Sequence, residues 1–256
     1  MKKYLQPLLN NLKILPLLAT IALLISSPAY ASDVTKYNAK GDSPVKRVSI
    51  NLAKSKRILY LKSGVSQNSV KPVIDGIKEL SASSKADIYL IITSPGGSVL
   101  DGFQLINTMT GAKATLGVKT ICIVESAAYS MAALIQSYCH QAYMTPNSSL
   151  LYHEAAYQVQ DQMTHMISRM KFMDQFMKET NANVARQMGM PADEYEREIN
   201  KELWYTSESA ARYGITDGII EGLYYVEPKK KEVSIFDLLE KLGIKYHDPV
   251  RKIEVK

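Results

Sequence analysis

A double glycine, Gly96-Gly97, stands between a strongly apolar run and an amphipathic one. Adjacent glycines allow backbone conformations that other residues avoid, and they let another group approach the backbone closely. If a helix begins there, its first amide N–H groups lack intrahelical partners and favour negative charge. The amides therefore serve a phosphate, an oxyanion or only a tight turn.

The residues after the double glycine argue against a phosphate loop. Gly97 and Gly102 have the spacing of P-loop glycines. However, Phe103 and Gln104 stand where that loop requires Lys and Ser or Thr, and the sequence contains no G-x-G-x-x-G. An oxyanion site or a plain turn is left.

Two further side chains have types suited to nucleophilic or acid–base chemistry. Ser130 lies in the small-residue run "SAAYSMAA", where a strand is predicted to give way to a helix. His153 closes the strand-like run "SLLYH". Taken alone, the serine also fits a helix cap, and the histidine fits a core position. A zinc site does not fit, because Tyr157 stands where H-E-x-x-H needs its second histidine.

Strand-like and helical segments alternate around these residues. Strands are predicted at 57–61, 87–93 and 118–124, and helices at 67–82, 98–109 and 127–138. This alternation predicts an α/β fold with a parallel sheet and crossover helices. Functional sites of such folds form at the carboxyl ends of the strands.

A long helix is predicted over residues 157–188, which contain neither proline nor glycine. Methionines at three- and four-residue steps form an apolar stripe along it, typical of core packing or of a subunit contact. A further helix is predicted after Pro191. The stripe consists of Met163, Met166, Met170, Met173 and Met177.

The first 31 residues have the features of a secretory signal peptide. Lys2 and Lys3 precede an apolar run, and Ala29-Tyr30-Ala31 is a small-x-small cleavage site. We expect cleavage after Ala31 and a periplasmic or secreted mature chain. The expected organisation is a signal peptide (1–31), a flexible lead-in (32–45), a folded domain (46–227) and a basic C-terminal extension (228–256).

Charge and composition limit the partners. Residues 1–31 contain three lysines and no acid, so their removal lowers the formal net charge from +6 to +3. Because no basic patch interleaved with aromatic residues is visible, nucleic acid is not expected as a partner. No cofactor and no metal site are predicted. Cys122 and Cys139 suit either a disulfide in an oxidising compartment or free thiols, of which Cys122 would be buried.

Four ordered motifs carry a resemblance to a known family. They are "ADIYLIITSPGGSV", the small-residue segment around Ser130, "TPNSSLLYH" and "ELWYTSESAARYGITDGII". Together they resemble the motifs of Clp protease proteolytic subunits, and of related phage-type peptidases in the Clp/crotonase superfamily, over residues 55–222. The resemblance implies a Clp/crotonase-like fold of repeated ββα units. It also implies that helix 157–188 is the "handle" through which subunits form and stack rings.

The resemblance also implies roles for individual residues. Ser130 would be the nucleophile, His153 the general base and Glu202 the acid, with the backbone amides of Gly97 and Met131 forming the oxyanion hole. A serine hydroxyl needs such a base, and the tetrahedral intermediate needs such donors. The predicted function is a homo-oligomeric serine endopeptidase of the bacterial cell envelope, acting on peptides or unfolded segments. An exported enzyme would meet no ATP, so no ATP-driven unfoldase is expected.

Several alternatives are left open at individual positions. The family usually has aspartate where this chain has Glu202, and Asp193 or Asn200 could replace it. Ser126, one helical turn before Ser130 in the predicted helix, is a second candidate nucleophile.

Three other functions compete with the serine–histidine peptidase. A non-catalytic, ring-forming peptide-binding protein would keep the fold without turnover. A Ser–Lys enzyme resembling signal-peptide peptidases would need a distant lysine, since none lies between Lys119 and Lys171. Crotonase-type thioester chemistry would use the paired amides without a nucleophile.

Overall fold

The computed structural model describes residues 37–156, 163–226 and 242–243. The predicted signal peptide and most of the C-terminal extension lie outside these ranges. The described elements, in chain order, are β1 (Arg47–Asn51), β2 (Ile58–Leu61), α1 (Gln67–Ser83), β3 (Ile88–Ser94), α2 (Val99–Leu116), β4 (Thr120–Tyr129), α3 (Met131–Ser137), β5 (Gln141–Met144), β6 (Ser149–Tyr152), α4 (Met163–Met188), α5 (Ala192–Ile199), β7 (Leu203–Thr206), α6 (Ser207–Arg212) and β8 (Gly218–Tyr224).

The strands form one mostly parallel sheet in the order β1-β8-β5-β4-β3-β2. Strand β4 is long enough to pair twice on one side, first with β5 and then, near its end, with β6. Strand β7 continues from β6 as an antiparallel neighbour. The sheet confirms the predicted α/β class and brings the ends of β3, β4 and β6 to one edge.

The two faces of the sheet carry separate apolar clusters. Successive side chains of a strand point to opposite faces. On β4, Cys122 and Val124 join the larger core, which also contains residues of α1, α2 and α3. Ile121 and Ile123 join a smaller cluster on the other face, with Tyr143. Because β4 is buried on both faces, it reads as a continuous apolar run in the sequence.

The helix predicted over 127–138 is wrong at its start. Residues 127–129 extend β4, and α3 begins only at Met131. The alanines suit a helix locally, but pairing with β6 keeps them extended, with Ala127 opposite Ser149 and Tyr129 opposite Leu151. Tertiary pairing here outweighs local propensity.

Helix α4 is anchored at its C-terminal end. Val184, Ala185 and Met188 are buried in the larger core, whereas Met170 and Phe172 are exposed. Residues 157–162 of the predicted handle lie outside the described part of the chain. No helix within the described ranges is both long and apolar enough to cross a membrane.

Residues 37 and 38 of the predicted lead-in (32–45) contact the body of the fold, and residues 32–36 lie outside the described ranges. The Tyr37 ring stacks on Tyr213 with centroids 6.4 Å apart, and its hydroxyl donates to Glu194. The Asn38 N–H donates to the Tyr213 carbonyl oxygen at 2.9 Å. These contacts bind the segment to the loop after α6 and to α5.

Candidate active site

Ser130 occupies the single residue between strand β4 and helix α3. Its backbone has φ 54° and ψ −125°, a region that residues other than glycine seldom adopt. The Ser130 N–H donates to the Leu151 carbonyl oxygen at 2.8 Å, and the Ala133 N–H donates to the Ser130 carbonyl oxygen at 3.0 Å. These bonds hold a half-buried serine at a sharp strand-to-helix turn, a conformation that costs of order 1–3 kcal/mol and clusters at functional sites.

Gly96 lies directly against this serine. Its φ is +88°, and a Cβ atom built there would lie 2.7 Å from the Ser130 Cβ and 3.0 Å from the Met131 nitrogen. Both the conformation and the space therefore require glycine. The first of the two glycines thus permits the turn after β3 to pack on the turn after β4.

Gly97 presents its amide away from the neighbouring chain. In the bridge to Val65, the Val65 N–H donates to the Gly96 carbonyl oxygen at 2.8 Å, and the Ser98 N–H donates to the Val65 carbonyl oxygen at 2.9 Å. These bonds use the carbonyl group before Gly97 and the N–H group after it. The N–H of Gly97 itself therefore points away from Val65. The Met131 N–H is the first of α3 and has no acceptor within that helix. Both amides suit an oxyanion role, which stays a prediction.

His153 follows the end of β6, as Ser130 follows the end of β4. The two strands are parallel neighbours, so both residues lie at the same edge of the sheet. The His153 Nδ1 atom lies 2.6 Å from the carbonyl oxygen of Glu154. Since a carbonyl only accepts, Nδ1 carries the proton and Nε2 has the free lone pair that a general base needs. In the described structure no hydrogen bond joins the Ser130 and His153 side chains.

Glu202 comes near His153 without bonding to it. Tyr152 pairs with Leu203 in the antiparallel β6–β7 register. His153 and Glu202 are the next residues beyond the two strands and therefore lie opposite each other. The exposed carboxylate instead accepts a hydrogen bond from the Trp204 indole Nε1, with Nε1 and Oε2 3.1 Å apart. The role of Glu202 as the acid of a triad stays a prediction.

The alternative residues occupy less suitable places. Ser126 lies within β4, so no helical turn relates it to Ser130, and its hydroxyl lies 3.5 Å from that of Thr93. Asp193 is in the first turn of α5, and Asn200 directly follows that helix. Among the described residues, neither forms a hydrogen bond with His153.

Sequence reasoning missed an aromatic pair beside the serine. Trp204 is 53% exposed and contacts the Tyr129 ring edge-on, with centroids 5.4 Å apart. The Tyr129 hydroxyl lies 2.8 Å from that of Ser149. The only sequence signals were the position of Tyr129 next to Ser130 and of Trp204 two residues after Glu202.

A buried tyrosine connects β6 to α3 beneath the site. The Tyr152 hydroxyl donates to Gln136 Oε1 at 3.0 Å and lies 2.9 Å from the Ser137 hydroxyl. Complete burial raises the pKa of Tyr152, so its phenol is neutral at ordinary pH. The residue immediately before His153 is therefore held on the helix that follows Ser130.

Cys122 and Cys139 form a disulfide, which settles the pairing that the sequence left open. Their Cα atoms are 5.9 Å apart, and 17 positions separate them in the chain. The bridge joins the first half of β4 to the residues just after α3. The closed loop contains Ser130 near its midpoint, so the disulfide fixes both elements that hold the serine.

A groove of about 640 Å³, lined by both apolar and polar side chains, lies between α2 and α4. Leu100 and Phe103 of α2 line one side, and Phe176 of α4 faces them, with the Phe103 and Phe176 rings 5.7 Å apart. Helix α2 begins two residues after Gly97, so the groove starts beside the double glycine. Within the described ranges, no group of three or more His, Cys, Asp or Glu side chains is placed to hold a metal ion.

Comparison with known proteins identifies the family of this chain. The family model described as Clp protease matches residues 42–222, a range that contains Ser130, His153 and Glu202. A relative, ATP-dependent Clp protease proteolytic subunit 1 of Bacillus cereus (strain ATCC 10987 / NRS 248), is 26% identical over 166 residues. This alignment spans 64% of this chain and 85% of that protein. Because the family match covers well over half of the sequence, this chain belongs to the Clp protease family.

Proposed function

We propose that this protein is a serine endopeptidase that cleaves peptides or unfolded segments, with Ser130 as nucleophile and His153 as general base. The observation that carries the proposal is the strained Ser130 turn, packed against Gly96 and flanked by the amides of Gly97 and Met131. Family membership supports a peptidase, and this turn is where the chain could activate a serine.

The proposed reaction proceeds in two stages. His153 Nε2 takes the hydroxyl proton of Ser130 as Oγ attacks the substrate carbonyl carbon, and the new oxyanion is stabilised by the Gly97 and Met131 amides. Removal of one such donor typically costs about 2.7–4 kcal/mol of transition-state stabilisation. His153 then passes the proton to the leaving amine, and water hydrolyses the acyl-enzyme with the same base. The groove between α2 and α4, with its apolar and polar lining, could hold side chains of the peptide.

We also propose that the enzyme works in the bacterial envelope after export. The signal-peptide features of residues 1–31 and the Cys122–Cys139 disulfide support an oxidising compartment. Outside the cytoplasm no ATP-driven unfoldase would unfold substrates and deliver them to the enzyme. The substrates would therefore be short or already unfolded. Cell fractionation with intact-mass analysis tests this: we expect a periplasmic or secreted chain that begins at Ser32. A cytoplasmic chain that retains residues 1–31 would refute it.

Assembly into a ring through the handle is the third part of the proposal. Clp family members form oligomeric rings. Helix α4 leaves Ile167, Met170 and Phe172 exposed, and such apolar side chains suit a contact between copies of this chain.

A fluorophosphonate, which reacts with activated serines, tests the central claim. We expect the intact mass of the folded wild-type protein to increase by one adduct, and Ser130→Ala and His153→Ala to prevent labelling. Peptide turnover should be lost in the same two variants. A folded protein that takes no adduct would favour the non-catalytic peptide-binding alternative, which the separation of Glu202 from His153 supports.

A further inference from the structure

We propose that the backbone carbonyl of Glu154, rather than the carboxylate of Glu202, orients His153, so that Ser130 and His153 act as a dyad. The inference rests on the proposed function and specifies how its general base is held. Glu154 is thus a positioning residue that acts through its main chain.

The carbonyl performs the task that the acid performs in a triad. That task is to hold Nδ1–H, fix the tautomer and aim Nε2 at the nucleophile. The 2.6 Å separation between His153 Nδ1 and the Glu154 oxygen satisfies the first two requirements. The bond spans one residue of the chain, so the backbone after β6 aims the ring without a partner from another element.

Glu202 is held elsewhere by the backbone and by an aromatic ring. Its φ of 61° lies in the left-handed region, and its N–H donates to the Ile199 carbonyl oxygen at 3.1 Å. Its carboxylate accepts from Trp204, whose ring packs against Tyr129. Glu202 therefore stabilises the Trp204–Tyr129 contact beside the serine.

Within residues 37–156 and 163–226, the charges near His153 do not supply a substitute acid. The side chain of Glu154 itself is exposed, as is that of Glu202 on the β7 side. Exposed charges act weakly on a neighbouring group because water and salt screen them. A neutral carbonyl orients the ring without adding a negative charge to stabilise the imidazolium.

The test compares Glu202→Gln with wild type in the assembled full-length enzyme, using kcat/KM for a peptide substrate across pH. We expect activity within about fivefold of wild type, the size of effect that an exposed charge exerts. The pH profile of kcat/KM should keep its wild-type shape. Glu196→Gln, which removes an exposed carboxylate from α5, is the matched control. A loss approaching the roughly 10⁴-fold effect of disabling a triad acid would overturn the inference.

A second measurement does not depend on activity. In ¹⁵N spectra of the Ser130→Ala protein, protonated and unprotonated imidazole nitrogens have well-separated shifts, and His153→Gln identifies the relevant signals. We expect His153 to carry its proton on Nδ1, with and without Glu202→Gln. A proton on Nε2 in either protein would overturn the inference. A wild-type protein without fluorophosphonate reactivity would refute the proposed function while this readout still tests the orientation of His153.

Discussion

The main chain of Ser130 is bonded to that of Leu151, with the Ser130 nitrogen and the Leu151 carbonyl oxygen 2.8 Å apart. Leu151 lies two residues before His153, so this bond aligns the ends of β4 and β6. The predicted nucleophile and its predicted base are therefore placed by a backbone contact that does not depend on either side chain.

Gly96→Ala should inactivate and destabilise the protein. The new methyl group would press on Ser130 and the Met131 nitrogen at a φ of +88°, so we expect a loss of about 1–3 kcal/mol and much slower fluorophosphonate labelling. Urea unfolding and labelling rates measure the two effects. Gly111→Ala is the control: its Cβ meets no atom within 4 Å inside α2, and alanine should stabilise that helix by about 0.5–1 kcal/mol. Wild-type labelling by Gly96→Ala would contradict the close packing.

Loss of the Cys122–Cys139 disulfide should lower the free energy of unfolding. With a sequence separation of 17 between the cysteines, loop-closure entropy predicts a loss of about 3 kcal/mol. Urea unfolding of the oxidised protein, the dithiol-reduced protein and Cys139→Ser measures it. The reductant should lower the urea midpoint of the wild type and leave the midpoint of Cys139→Ser unchanged. Equal midpoints for oxidised and reduced wild type would contradict the prediction.

Alkaline pH should destabilise the fold through its buried tyrosines. Desolvation raises the pKa of Tyr152, Tyr195 and Tyr205 above the ordinary value of 10.0. Above pH 10 the unfolded chain loses these protons while the folded chain keeps them. Stability is therefore full below about pH 10 and falls as pH rises further, by about 1.4 kcal/mol per pH unit for each tyrosine.

Tyr152→Phe tests that assignment. Above pH 10, the free energy of unfolding of the variant should fall less steeply with pH than that of the wild type. The difference in slope should be that of one tyrosine, about 1.4 kcal/mol per pH unit. Tyr224→Phe, at a tyrosine 61% exposed, should leave the slope as in wild type. Urea midpoints between pH 9 and 11.5 supply the comparison, and identical slopes for wild type and Tyr152→Phe would exclude this tyrosine as a contributor.

Phe172→Glu should dissociate the proposed ring. The side chain is 63% exposed on α4, and a carboxylate there would have to be desolvated at a subunit contact. Light scattering at micromolar concentrations should show smaller particles with unchanged circular dichroism. Lys171→Glu places the same carboxylate at the neighbouring exposed position, where it reverses an existing charge, and should keep the particle mass of the wild type. A monomeric wild type would refute assembly through the handle.

The α/β class, the order of the motifs and the positions of Ser130 and His153 were all predictable from the sequence. Strands buried on both faces appear as apolar runs, and their alternation with helical segments places their ends at one edge. The double glycine also indicated that another segment packs closely against this backbone, because only glycine leaves room for such a contact. These features are encoded in residue type and spacing, which act over short stretches of chain.

Other features were decided by contacts between distant segments. Residues 127–129 are extended because β6 pairs with them, although their own propensity favours a helix. The disulfide depends on the approach of β4 to the end of α3. The carboxylate of Glu202 points to Trp204, and the ring of His153 points to the backbone carbonyl of Glu154. These directions depend on the strand register and, for Glu202, on its φ of 61°. Local sequence specifies which groups are present, and only the packed backbone specifies which of them meet.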